Sequence, residues 1–330
     1  MAVVLVTGGA GYIGAHACRQ LAEAGHRPVV FDDFSTGWRD SVRFGPLIEG
    51  DLLNSADLDR AFATEPIDAV MHFAARSLVG QSMTNPELYW STNVCGSLNL
   101  LEAMRRAGIA RIVFSSTAAT YGEPDLDLIP EAAPQRPTNT YGSTKLAIET
   151  MIGDFVRAHG FRTMIFRYFN VAGAAPGAEI GEQHQPETHL VPLVIEAAMG
   201  KREAIIIFGQ DYPTPDGTCI RDYVHVEDLI AAHLLGLGRL MGQADRLGET
   251  SAMNLGIGSG YSVAEVIART RAVTGAVIAA KPGPRRSGDP ARLVCDASRA
   301  QAILGWQPVH DLDAMIRDAW NWHRRGGFVE

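Results

Sequence analysis

Cysteine, basic charge and long apolar runs are all scarce in this 330-residue chain. Its four cysteines, Cys18, Cys95, Cys219 and Cys295, lie far apart with no Cys-x-x-Cys pair. That spacing supports neither a disulfide framework nor a thiolate zinc site, and no metal is expected. Lys and Arg number 29 against 37 Asp and Glu, for a net charge of -8. Such a balance argues against nucleic acid or an anionic membrane as a general partner, so an anionic ligand must be held by local arginines. No apolar run approaches the ~20 residues that span a bilayer. Met1-Ala2-Val3-Val4-Leu5-Val6-Thr7 has no basic stretch and reads as a strand rather than a signal peptide, so a cytoplasmic protein is expected. Disorder is excluded by 46% hydrophobic against 20% charged residues.

In the first half, short β-branched runs alternate with helical stretches. Val3–Thr7, Pro28–Asp32, Ala69–Ala74, Arg111–Ser116 and Arg162–Asn170 read as buried strands. Helices are expected near Ile13–Ala24, Ala56–Ala63, Pro86–Ala107 and Thr140–Ala158. Parallel strands need covering crossovers, so this alternation predicts an α/β fold with a doubly wound, Rossmann-like parallel sheet. The texture changes after Asn170. Val171–Thr188 reads as an irregular loop, followed by a helix near Leu193–Gly200 and a strand at Ala204–Phe208. Gln210–Thr218 is turn-rich, Arg221–Asp228 and Met253–Gly258 read as strands, and Lys281–Pro290 as a loop. Asp296 can cap a short helix ending before Gly305, and a last helix is expected over Asp313–Arg324. The expected division is residues 1–170 as a nucleotide-binding domain and 171–330 as a smaller α/β substrate domain, with segments near 221–258 returning to the first.

Between the first strand and first helix lies Thr7-Gly8-Gly9-Ala10-Gly11-Tyr12-Ile13-Gly14. Gly8, Gly11 and Gly14 permit a tight turn and close backbone approach to a pyrophosphate. The helix N-terminus that follows adds N–H donors and a positive dipole end. Asp32 ends the second strand, roughly 20 residues on, where a carboxylate accepts from a ribose 2′-OH and repels a 2′-phosphate. Asp33 follows it, not Arg, so NAD is expected rather than NADP. Asp51 is a further candidate for an adenine contact.

Tyr141-Gly142-Ser143-Thr144-Lys145 supplies the chemistry. A phenol with a pKa near 10 is a poor base at neutral pH, but a nearby ammonium stabilises the phenolate. Tyr141 and Lys145 are four apart and share one helix face. Phe114-Ser115-Ser116-Thr117 ends at the carboxyl edge of a strand, where sheets of this kind place ligands, and Thr117 can hydrogen-bond a reacting oxygen. Thr117, Tyr141 and Lys145 are the candidate catalytic residues.

These residues resemble the short-chain dehydrogenase/reductase superfamily in its extended, sugar-nucleotide form, and within it the UDP-glucose (UDP-galactose) 4-epimerase family. Further strings carrying the resemblance are His72-Phe73-Ala74-Ala75, Arg167-Tyr168-Phe169-Asn170-Val171-Ala172-Gly173, Asp211-Tyr212-Pro213-Thr214, Arg221-Asp222-Tyr223-Val224-His225-Val226 and Arg285-Arg286-Ser287-Gly288-Asp289. The resemblance spans nearly the whole chain. It implies interconversion of UDP-galactose and UDP-glucose through a transient 4-keto sugar and enzyme-bound NADH. It implies NAD contacts from Tyr12, Ile13, Asp32, Asp33, Ser35, Thr36, Asp51, Leu52, Phe73, Ala74, Ala75, Asn93, Thr117, Tyr141, Lys145 and Phe169. For the UDP-sugar it implies Thr117, Tyr141, Asn170, His189, Leu190, Phe208, Arg221, Arg286 and Asp289. A homodimer is implied too; Pro86–Ala107 offers a helix for packing on its twin, although an apolar helix is more often simply core.

The chain departs from the family pattern in places. Thr117 replaces a Ser but keeps the hydroxyl. Ser77 stands where some members have a cofactor-contacting Lys, and His189 where some have Asn. Leu293, near the sugar position, leaves UDP-N-acetylhexosamines open, and relatives acting on UDP-arabinose, UDP-xylose or UDP-glucuronate are poorly discriminated. A sugar-nucleotide 4,6-dehydratase needs a carboxylate beside the catalytic Thr, where this chain has Ala118-Ala119. A non-catalytic NAD sensor is expected to lose Tyr or Lys, and both are present.

Overall fold

The computed structural model describes residues 1–242, 251–286 and 289–328. Its strands are β1 (Val3–Thr7), β2 (Arg27–Asp32), β3 (Leu47–Glu49), β4 (Ala69–His72), β5 (Arg111–Thr117), β6 (Arg162–Tyr168), β7 (Asn170–Ala172), β8 (Ile205–Phe208), β9 (Ile220–Arg221), β10 (Tyr223–His225), β11 (Ser251–Leu255), β12 (Tyr261–Ser262), β13 (Ala280–Gly283) and β14 (Arg292–Leu293). The helices are α1 (Tyr12–Glu23), α2 (Ser55–Thr64), α3 (Val79–Thr84), α4 (Pro86–Tyr89), α5 (Gly96–Arg106), α6 (Thr140–His159), α7 (Leu190–Ala198), α8 (Val226–Met241), α9 (Val263–Thr274), α10 (Ser298–Leu304) and α11 (Leu312–Arg324).

The chain forms two compact units. The first comprises Met1–Gly122, Gln135–Arg167 and Ile230–Met253, and the second Glu123–Pro134, Tyr168–Leu229 and Asn254–Glu330. A seven-stranded sheet runs in the order β11-β6-β5-β4-β1-β2-β3. Strand β1 pairs in parallel with both β2 and β4, β2 with β3, and β4 with β5. This is the doubly wound α/β arrangement expected. Strand order reverses between β1 and β4, where Thr7 lies beside His72 in register. Such a switch point opens a crevice at the carboxyl ends of its strands. Leu5, Phe31, Val70, Ile112 and Phe114 from the sheet pack with Leu58, Leu100 and Ile148 from helices α2, α5 and α6.

The second unit is built from short sheets: β10-β7, β12-β9-β14 and β13-β8. Ala172, Val191, Ile195, Tyr223, Val266, Met315 and Ile316 form one of its cores. Several local expectations need correction. Residues 226–228 are not strand: after β9 and β10 the chain turns straight into α8, whose first turn carries Glu227 and Asp228. Carboxylates there complement the helix dipole, and this outweighs the β-branched run before them. The Arg162–Asn170 strand breaks at Phe169 into β6 and β7. The Lys281–Pro290 loop contains most of β13, a strand with little burial and hence no apolar pattern. Ser287 and Gly288 lie outside the described residues. Strand β3, only three residues long, and α9, with its Ser262–Glu265 capping box, have no counterpart in the sequence reading.

Candidate active site

In the glycine turn, each glycine does a different job. Gly8 sits at φ +73, and a Cβ there would lie 2.6 Å from the Ala74 nitrogen. A Cβ on Gly14 would lie 2.1 Å from the Gly8 carbonyl oxygen, so this glycine lets α1 pack onto the turn. At Gly11 the only near neighbour of a Cβ is that same oxygen, at 3.3 Å, so its outer side is open. Gly11 is the N-cap of α1 and has no side chain to cap Tyr12, Ile13 and Gly14. An open glycine before an uncapped helix start is the cradle a pyrophosphate fits. Phe73 and Ala74, just after β4, both donate their N–H to the Thr7 carbonyl, which brings Phe73-Ala74-Ala75 beside the turn.

Asp32 is buried at the end of β2. Its Oδ2 accepts from the Ala10 N–H at 2.9 Å and its Oδ1 from Phe34 at 2.8 Å. Burial raises its pKa, and those backbone donors oppose the rise. The carboxylate thus also ties the glycine turn to the next loop, where Phe34 adopts φ +58, a region rarely used by bulky L residues. Asp33, Ser35 and Thr36 lie exposed on this loop, with Asp33 accepting from the Ser35 N–H at 2.9 Å. Asp51 caps the Leu53 N–H at 2.8 Å, and Leu52 is buried. Ser77 is exposed.

Helix α6 starts where the polar residues before Tyr141 predict a cap. Asn139 accepts from the Gly142 N–H at 2.8 Å. Burial pushes the Tyr141 phenol up to about 12, while a hydrogen bond with Thr117 works the other way. Lys145 is 2% exposed. Burial lowers its ammonium to about 7, against an upward pull from Glu149. Its Nζ donates to the Ser115 carbonyl at 2.8 Å and lies 6.0 Å from the Tyr141 ring centre. Burial therefore favours the protonated phenol at neutral pH. Ionising it requires additional positive charge near the ring.

In the second unit, Arg221 and Asp289 form an ion pair, and the Arg221 Nη1 also donates to the Ile220 carbonyl at 2.7 Å. The Arg286 guanidinium lies 4.1 Å from the centre of the Phe208 ring. The Asp289 N–H reaches the Arg286 carbonyl at 3.4 Å, so these four residues form one group. Strand β7 puts Asn170 beside Tyr223, and Leu293 pairs with Arg221 across β14 and β9. His189 is the N-cap of α7, with Leu190 next, and Phe169 lies half-buried between β6 and β7. Burial works against a charge on His189, but Glu182 and Glu187 outweigh it and raise the imidazole to about 9.

Residues 4–256 match the model of the NAD dependent epimerase/dehydratase family. The chain belongs to that family. It is 50% identical to a UDP-glucose 4-epimerase of Streptomyces lividans over 321 residues, covering 97% of this chain and 95% of the relative. A crystal structure of a UDP-glucose 4-epimerase superposes with a TM-score of 0.95 at 51% identity, covering 99% of this chain and 100% of that one. The UDP-glucose 4-epimerase of Stenotrophomonas maltophila, solved with bound NAD and formylated UDP-arabinopyranose, gives a TM-score of 0.94 at 39% identity, covering 99% of each chain.

For an epimerase/dehydratase family member, several residues around the candidate site escaped the sequence reading. Glu149 stands one helical turn beyond Lys145 and is almost fully buried. It pairs with Arg167 (Nη2–Oε2 2.6 Å) and accepts from Ser116 and from Gln135 at 3.1 Å. Arg167 also donates to the Tyr121 hydroxyl at 3.0 Å. The signal was present as the i, i+4, i+8 spacing of Tyr141, Lys145 and Glu149, but a lone Glu on a helix usually faces solvent.

Asn93 sits in a π-helical turn, Trp90–Cys95, which interrupts the helix expected over Pro86–Ala107. Its amide accepts from the Arg76 N–H at 2.8 Å and donates to the Arg76 carbonyl at 3.0 Å and to Thr144 at 3.1 Å. Thr144 in turn donates to the Tyr141 carbonyl at 2.8 Å. Ser97 donates to the Asn93 carbonyl at 2.5 Å, so its oxygen must accept from His72 Nε2–H at 2.9 Å. That leaves the His72 Nδ1 to accept from Thr7 at 2.6 Å. Burial holds His72 neutral, down to about 3. A satisfied buried network therefore runs from the end of β1 to the helix bearing Tyr141. In the second unit Asp222 plays an equivalent local part, accepting from the N–H groups of Ile257, Gly258 and Cys295 at 2.8, 2.9 and 3.1 Å.

Proposed function

We propose that the protein is an NAD-dependent UDP-glucose 4-epimerase, interconverting UDP-galactose and UDP-glucose. The observation that carries this reading is the Tyr141 phenol hydrogen-bonded to Thr117 with Lys145 buried one turn further along the helix. Residues 1–170 supply most of the NAD-binding part and 171–330 most of the UDP-sugar part, with Ile230–Met253 belonging to the first compact unit and Glu123–Pro134 to the second. Gly8, Gly11, Tyr12, Ile13 and Gly14 take the pyrophosphate, and Asp32 the ribose. Asp33, Ser35, Thr36, Asp51, Leu52, Phe73, Ala74, Ala75, Asn93 and Phe169 complete the cofactor contacts. Arg221, Arg286, Asp289, Asn170, His189, Leu190 and Phe208 hold the nucleotide, where Arg suits diphosphate oxygens.

NAD held by the glycine turn and Asp32 would supply a reversible hydride acceptor for the sugar C4, which would leave the net reaction redox-neutral. Tyr141, ionised with help from Lys145, removes the O4 proton directly or through Thr117, and returns it after the 4-keto sugar has turned over. The arginines keep the nucleotide in place while the sugar turns. Incubating the protein with UDP-galactose, with no added NAD, should yield UDP-glucose; absence of conversion by protein shown to contain NAD would refute the reading. UDP-arabinose and UDP-GlcNAc run in parallel fix the sugar range, the first prompted by the ligand of the Stenotrophomonas relative.

We further propose a cytoplasmic homodimer. Among the described residues no helix is long and apolar enough to cross a membrane. Trp90 and Leu98 are 43% and 38% exposed on the α4–α5 segment, with Val79 and Met83 exposed on α3. Apolar helical surface of this kind supports packing against a second copy. Light scattering giving a monomer mass would overturn the dimer.

A further inference from the structure

The loop ahead of α7 reads Glu182-Gln183-His184-Gln185-Pro186-Glu187-Thr188-His189, a Glu-x-His-x-x-Glu-x-His pattern. In the second unit this loop folds so that one ligand atom from each of Glu182, His184, Glu187 and His189 lies within 4.8 Å of all the others. Two imidazoles and two carboxylates are the donor set of a zinc-type divalent ion. Tetrahedral ligands at zinc bond lengths stand about 3.4 Å apart. The His184 Nδ1 is 3.5 Å from Glu182 Oε1 and 3.4 Å from Glu187 Oε2. The His189 Nδ1 is 3.8 Å from Glu187 Oε1 and 2.5 Å from Glu182 Oε1. Of these four contacts, the His189–Glu182 one is shorter than a zinc site needs and must open for a metal to enter, while Glu187 Oε1 also accepts the Thr188 and His189 N–H groups and leaves Oε2 as the freer ligand atom.

Two further observations point to a ligand. The His184 Nδ1 atom is buried between two carboxylates, at 3.5 Å from Glu182 and 3.4 Å from Glu187, too far from either for a short hydrogen bond. A nitrogen set between two carboxylate oxygens needs positive charge there, which a bound cation supplies. The carboxylates are also deeply placed, with side chains 4% and 6% exposed for Glu182 and Glu187. Two like charges in so dry a position need compensation, which the His189–Glu182 ion pair supplies for one of them. With neutral imidazoles, a divalent ion makes the group electrically neutral. His323 is the other titratable side chain within reach of both carboxylates, and its Nε2 is likewise buried without a partner. The Trp322 Nε1–H, bonded to the Glu182 carbonyl at 3.1 Å, anchors the loop to α11.

We infer that Glu182, His184, Glu187 and His189 form a structural divalent-metal site of the zinc type, which pins the loop 182–189 to the start of α7. The sequence reading expected no metal because it looked for cysteine ligands. His189 is shared with the proposed nucleotide contacts, but the test is separate from the activity, since its readout is metal itself. Untagged protein from zinc-supplemented medium, dialysed extensively, should contain about one equivalent of zinc by elemental analysis. The metal-stripped chain should bind Co2+ with the intense visible bands of a tetrahedral site, and re-addition of Zn2+ should raise its melting temperature. In His184→Ala and Glu187→Gln, each checked for native circular dichroism, affinity should fall roughly 100-fold and the thermal shift should vanish. Substoichiometric zinc with no Co2+ spectrum overturns the inference. So does binding that the two variants leave unchanged, which would mark an adventitious ion elsewhere on the chain.

Discussion

Tyr141, Lys145 and Glu149 stand on one face of a single twenty-residue helix, whereas Arg221, Arg286, Asp289 and Phe208 come from a two-residue strand, a loop and the end of another short strand. In the helical group the ammonium and the carboxylate are almost completely buried, and Glu149 is pinned by Arg167, Ser116 and Gln135. In the loop group the charges partner each other and an aromatic ring, and Arg286 is exposed. The contrast follows from the tasks proposed for each. A proton must be exchanged at one fixed atom, which needs a preorganised, dry environment. Diphosphate oxygens need charge that can exchange an internal partner for a ligand, and Asp289 is such a partner for Arg221.

The largest effect should come from the helical group. Tyr141→Phe removes the exchangeable proton and should lower turnover about 10³-fold while UDP binding, measured by calorimetry, stays near normal. Near-normal epimerisation by that variant would remove Tyr141 from its role. Arg167→Met strands the Glu149 carboxylate in the interior, so chemical denaturation should show a loss of about 3–5 kcal/mol. The double variant Arg167→Met/Glu149→Gln should recover part of it.

The loop group should respond differently. Arg221→Ala should raise KM for UDP-galactose about 10- to 100-fold, with a smaller change in kcat and a stability change below about 1 kcal/mol. A stability loss as large as that of Arg167→Met would erase the distinction between the two regions. A pH-dependent effect concerns His72. Its pKa is about 3 folded and 6.5 as a free side chain. As pH falls through 6.5 the unfolded chain takes up the proton and the folded one does not. Stability therefore drops between pH 6.5 and 3, by up to about 1.4 kcal/mol per pH unit. In His72→Gln the slope of unfolding free energy between pH 6.5 and 5 should be shallower by up to one proton.

Much of the sheet was legible because its strands are continuous apolar runs separated by punctuating glycines, as at Val3–Thr7. The glycine turn between β1 and α1, Asp32 at the end of β2 and the placing of Tyr141 and Lys145 on one helix were legible because each is set by residues close together in the chain. The start of α8 was misread because β-branched Val224 and Val226 flank its boundary. The π-turn at Asn93 was invisible, since one extra residue in a helical turn leaves the apolar pattern almost unchanged. The Glu149–Arg167 pairing gave no warning, although the spacing of Glu149 from Lys145 was in view, because charge pairing across 18 positions is settled by packing, not by neighbours in the chain.

By itself, then, the sequence determined what depends on residues close together along the chain: the strand–helix alternation, the nucleotide turn and the phenol–amine pair. Tertiary structure alone decided which charges are dry and which are paired. It buried Lys145 over Glu149, ran a hydrogen-bonded line from Thr7 through His72 to Asn93, and set His184 and His189 against two carboxylates. The physical reason is that desolvation and charge pairing are properties of the surroundings in space, and those surroundings are assembled from residues distant in sequence.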